Sequence, residues 1–146
     1  MRDQHADSGG AQPPADVQRP LRIALLSYRS KAHSGGQGIY IRHLSRELAA
    51  LGHDVEVISG PPYPPLDAGP RLTMVPSLDL YREPDPFRVP RPSEFRSAID
   101  VYEFLSMCTG AFPEPLTFSM RARRLLSKRP PEQQPDIIHD NQTLGY

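Results

Sequence analysis

Short apolar runs alternate with polar joints rich in glycine or proline along this chain, and their order lays out a parallel α/β pattern. Residues 21–27 (LRIALLS) hold a continuous apolar stretch from Ile23 to Leu26, as in a strand covered on both faces. A polar loop follows, and Gly35, Gly36 and Gly38 open a segment in which Ile41, Leu44, Leu48 and Leu51 recur at three- and four-residue steps. That spacing predicts a helix over about Gly38–Leu51 with one core-facing stripe. Gly52 suits a left-handed C-cap, His53 reads as a turn residue, and Val55–Ile58 reads as a second strand. A third strand, Arg71–Val75, comes after a loop built on Pro61, Pro62, Pro64 and Pro65.

Further along, Pro76, Pro84, Pro86, Pro90 and Pro92 punctuate an arm that leads into Ser93–Met107. There Phe95, Ile99, Tyr102 and Leu105 make a helical stripe, with Ser93 and Glu94 placed to cap it. Another helix is expected over about Pro115–Lys128, its basic half complementing the negative helix end through Arg121, Arg123, Arg124, Lys128 and Arg129. A last strand is expected around Asp136–His139. With the strands in the order third, second, first, fourth, the last one presents an open edge at Ile137–Ile138.

The chemistry suggested by this pattern sits where the first strand turns into the first helix. Free backbone N–H groups and the helix dipole favour an anion at that end, so a phosphate-bearing guest is expected. The glycines do not have dinucleotide spacing, and no Lys-Ser/Thr follows to make a P-loop. Gly35 and Gly36 either let the backbone approach a ligand closely, or adopt positive φ, or only make a tight turn into the helix. Ligands of open α/β sheets bind beyond the carboxyl ends of the strands, which places His139 and Asn141 at the same edge as the glycines. Each has a bland reading as well: His139 packs at the strand end and bonds backbone.

The run LRIALLS, then GGQG, then a helix with Leu44, Leu48 and Leu51, then GHDVEVI resembles the N-terminal half of GT-B glycosyltransferases, closest to the retaining family-four group. The segment Pro135-Asp136-Ile137-Ile138-His139-Asp140-Asn141 strengthens the likeness. The resemblance implies a Rossmann-like parallel sheet, an incomplete N-terminal (acceptor-side) domain of a GT-B fold over residues 20–146. It implies that Gly35 and Gly36 lie beneath the diphosphate of a nucleotide sugar, that Gln37 and Gly38 face the acceptor side, and that His139 and Asn141 serve catalysis. Many relatives carry a second histidine where this chain has Asn141. A Glu-x7-Glu signature, which the family carries in a second domain, is absent, so a fragment is expected that transfers no sugar alone. The acceptor is not specified. The other reading is a non-catalytic nucleotide- or phosphosugar-binding module.

Composition narrows the classes. At 146 residues the length fits about one domain. Residues 1–19 are polar and rich in Gly, Pro, Ser and Asp, so they are expected to be a disordered leader, with His5 solvated. The net charge is zero, which indicates no general pull toward nucleic acid. The single Cys108 fits a reducing compartment and reads as a small apolar filler rather than a nucleophile. No apolar run approaches a membrane span, so a cytoplasmic location is expected, and a basic amphipathic patch on the last helix is compatible with contact at the inner face of an anionic membrane. No cofactor and no clustered metal ligands are expected, and the acidic residues read as lying in unrelated loops.

Overall fold

The computed structural model describes residues 19–30, 36–84 and 87–141. Four strands, β1 (Arg22–Ser27), β2 (Asp54–Ser59), β3 (Arg71–Met74) and β4 (Ile137–Asp140), form one parallel sheet in the order β3-β2-β1-β4. The expected strand order is therefore observed. Three helices accompany them: α1 (Gly36–Ala50), α2 (Ala98–Cys108) and α3 (Glu114–Ser127).

The two central strands are covered on both faces, which is why β1 is continuously apolar and β2 departs from that only at Glu56, held by Arg129. On one face Leu25, Val55 and Val57 pack with Ile41 of α1, and Leu44 and Leu48 close over them. On the other, Ala24, Ile58 and Val75 pack with Phe118 and Ala122 of α3. Gly52 caps α1 at φ 90°, its N–H donating to Ala49 O at 3.0 Å, and His53 Nδ1 accepts from the Leu21 N–H. Leu51 does not join the stripe: it lies beyond the last helical turn and is 73% exposed. Glu47 turns to Arg46 rather than to His43, while Arg42 grips Asp67.

The arm differs more from its sequence pattern. Ser93 and Glu94 sit in a short 3-10 turn, and α2 begins only at Ala98. Its cap is Ser97, whose hydroxyl accepts from the Asp100 N–H while Asp100 accepts from the Ser97 N–H, a reciprocal box that ends the helix firmly. The face turned inward is acidic. Asp100 and Glu103 are buried, whereas Tyr102 and Leu105 are 46% and 58% exposed. Arg121 of α3 explains the reversal, since its guanidinium donates to Asp100 at 2.6 Å and to Glu103. An apolar stripe loses to a charge pair when a buried cation waits on the facing helix. Cys108 is exposed at the end of α2 and fills no core.

The acidic residues thus converge instead of scattering. Glu103 also accepts from Thr117, and Glu114 accepts two bonds from Arg29, at 3.2 and 2.9 Å. At the opposite end of the sheet, Arg129 holds Glu56 and so ties the end of α3 to β2. Of the five basic residues of the α3 segment, then, Arg121 and Arg129 serve packing. Among the described residues no helix is long and apolar enough to cross a membrane.

Candidate ligand site at the strand ends

The carboxyl ends of β1, β2 and β4 form a tightly laced rim. Ser27, Ser30 and Ser59 are fully buried there, small enough to let three chain segments approach. Ser27 Oγ and Ser30 Oγ share a hydrogen bond, Ser30 N–H donates to Pro62 O at 3.0 Å, and Gly60 N–H donates to Ser27 O at 3.1 Å. Gly60 is required by this approach: a Cβ there would stand 2.5 Å from Tyr28 O. None of these residues emerged from the sequence pattern, although a glycine directly after a Val-Ile-Ser strand end is the kind of signal that marks close backbone approach.

The predicted site residues distribute unevenly over this rim. Gly35 lies outside the described residues. Gly36 is the first residue of α1, exposed, outside the left-handed region, and a Cβ there would meet nothing within 4 Å. Of the readings left open for it, positive φ is excluded, while close approach of a ligand and a tight turn into the helix both stand. Gln37 is exposed, whereas Gly38 is buried against the core. The first turn of α1 holds no acidic residue, so its partial positive charge is not offset by a neighbouring carboxylate in that turn.

His139 pairs with Leu25 in the parallel register, and side chains paired this way share a face, which puts the imidazole on the α1 side of the sheet. It is exposed on the edge strand. Asn141, two residues on, prolongs the ladder by donating its N–H to Leu26 O at 3.1 Å. Its side-chain Nδ2 is buried with no hydrogen-bond partner among the described residues. A buried amide left unpaired costs about 1–3 kcal/mol, so this donor is the rim's clearest candidate for a ligand contact.

Behind the rim, electrostatics are governed by Glu114. Burial pushes its carboxyl above the usual range against the pull of Arg29. Burial likewise pushes the Tyr28 phenol up, with the Glu114 charge adding to it. Among the described residues, no group of three His, Cys, Asp or Glu side chains is placed to hold a metal ion.

Comparison with known proteins agrees with this architecture. The profile of a family described as "Glycosyl transferase 4-like domain" matches residues 35–145. The chain is also similar to the "MMP alpha-(1->4)-mannosyltransferase" of Mycolicibacterium hassiacum, 67% identical over 126 residues, which is 86% of this chain. The matched region spans 30% of that relative's length.

Proposed function

The chain belongs to the Glycosyl transferase 4-like domain family, and from that premise we propose that it supplies the N-terminal, acceptor-side part of a glycosyltransferase acting on a nucleotide-sugar donor with retention. The observation that supports the reading is the acid-free N-terminus of α1, which follows β1 in the chain, with His139 and Asn141 at the end of β4, the strand paired to β1. In this reading the N–H groups at the start of α1, with Gly35 and Gly36, steady the leaving diphosphate, an electrostatic contribution that grows as charge develops. His139 and the Asn141 amide position the sugar, while Gln37 and Gly38 border the acceptor. The similar protein's printed name supports a mannosyl donor and an α-(1→4) product. The 146 residues provide one wall of the donor site and transfer no sugar alone. A cytoplasmic setting, with the basic α3 segment near a membrane face, completes the proposal.

Gly36→Val tests it. The space at this position lets the variant fold, while the added side chain occupies the place proposed for phosphate. In the complete enzyme, calorimetry with nucleotide sugars is expected to show donor affinity reduced about tenfold or more, the worth of one charge-assisted hydrogen bond. Unchanged affinity in a folded Gly36→Val enzyme would remove the phosphate role from this helix end.

A further inference from the structure

A second recess lies beyond the carboxyl end of β3, next to the rim described above. It is a cleft of about 530 Å³ between the segment following β3 and the helices α2 and α3. Its size falls within the range of small-molecule sites, and its floor is apolar, formed by Val75, Leu78, Ile99 and Leu125. Its rim carries Arg96, Arg124 and Lys128, none of whose side chains holds a carboxylate among the described residues. The two carboxylates of the cleft are already taken, Glu94 by Arg88 and Asp100 by Arg121. The cleft therefore has a surplus of positive charge over an apolar floor.

Two further observations separate this cleft from an ordinary solvated face. Arg121, on its wall, has nine-tenths of its side chain buried, and its Nη1 has no partner among the described residues. Arg124 and Lys128 are a like-charged pair one helical turn apart, and an anion between them would relieve their mild repulsion. The helix end attracts cations to the last turn of α3, but it does not account for Arg96, which arrives from the segment before α2.

We propose that this cleft binds a small phosphomonoester, with its phosphate held by Arg96, Arg124 and Lys128 and its body lying on Val75, Leu78, Ile99 and Leu125. The site is separate from the proposed diphosphate position at Gly36, and it stands whether or not that assignment holds. Phosphate is favoured over a planar carboxylate because three cations arrive from two different elements, a spread that suits a tetrahedral anion with several acceptor oxygens. Concavity argues for a small molecule rather than a lipid surface.

The test is calorimetry of the chain with phenyl phosphate, inorganic phosphate and phosphatidylglycerol vesicles. Phenyl phosphate is expected to bind saturably and at least about tenfold tighter than inorganic phosphate, because only it covers the floor. The double substitution Arg124→Gln, Lys128→Gln and, separately, Arg96→Gln are each expected to weaken phenyl phosphate by about tenfold or more, with circular dichroism unchanged since these side chains are exposed. Arg123→Gln, on the same helix but outside the cleft, and Gly36→Val are expected to leave it unaltered. The proposal is overturned by absence of saturable phenyl phosphate binding, by binding to vesicles alone, or by an equal loss in Arg123→Gln.

Discussion

Two glycines at the carboxyl end of the sheet do opposite work. Gly60 is fixed by what stands in front of it, the Tyr28 carbonyl, and any side chain there collides with backbone. Gly36 has room for a Cβ, so no contact among the described residues demands glycine there. His139 is judged by the same logic. It is exposed on an edge strand, so its replacement is expected to cost little packing. His139→Ala in a complete enzyme is expected to lower turnover about tenfold to a hundredfold, typical of a positioning contact, with the melting temperature nearly unchanged. Turnover equal to that of the parent would return His139 to a merely structural place.

At the level of elements, the α2–α3 pair rests on charge. Removing Arg121 strands Glu103, whose side chain is 1% exposed, together with Asp100. Arg121→Met is therefore expected to cost about 3–5 kcal/mol near neutral pH in denaturant unfolding. Burial pushes the Asp100 carboxyl up, but its bonds to Arg121, Arg96 and Ser97 outweigh that and hold it below the usual range. Glu56 behaves alike through Arg129 and Thr73. The stability these groups contribute is complete above their ordinary values of 3.8 and 4.5 and is lost as pH falls through their lower folded values. Glu114 works the other way, since its raised value makes charging it costly as pH rises. The parent protein should lose stability below about pH 4, whereas Arg121→Met, its carboxylates now unpaired, should lose less or gain. Melting curves over that range decide it, and a constant gap between the two proteins would contradict the pairing. This reversed helix is also where the sequence pattern misleads. Phe95, Ile99, Tyr102 and Leu105 have the spacing of a core stripe, and only a cation more than a turn into another helix tells which face is covered. The first strand was legible because Ile23–Leu26 is apolar without interruption, and the second because Val55, Val57 and Ile58 keep a β-branched, apolar run around Glu56, patterns that need no distant partner. In the candidate site, the position of His139 and Asn141 at a strand end was readable from the pattern, whereas Ser27, Ser30 and Gly60 matter through contacts between segments that no local pattern reveals.

For the molecule as a whole, one sheet organises everything, and its two edges differ. At β3 the edge is dressed with the Arg71–Asp54 pair, whereas β4 presents Ile137 and Ile138 at 45% and 52% exposure. Since the matched region spans 30% of the similar mannosyltransferase, the 146 residues incubated with nucleotide sugars are expected to release no nucleoside diphosphate, because proximity catalysis needs both walls of a cleft. Release in proportion to protein concentration would refute the two-walled reading. The inverted face of α2 carries one more consequence. A helix that leaves Val101, Tyr102 and Leu105 largely in water and sets its carboxylates against a neighbour gives up less apolar contact when it lets go than one held by an apolar stripe. Its detachment would scarcely alter heat capacity or denaturant slope, both of which follow newly wetted surface. Amide hydrogens on α2 should accordingly exchange through a local opening that responds little to dilute urea, while those of β1 and β2 wait for the whole sheet to unfold.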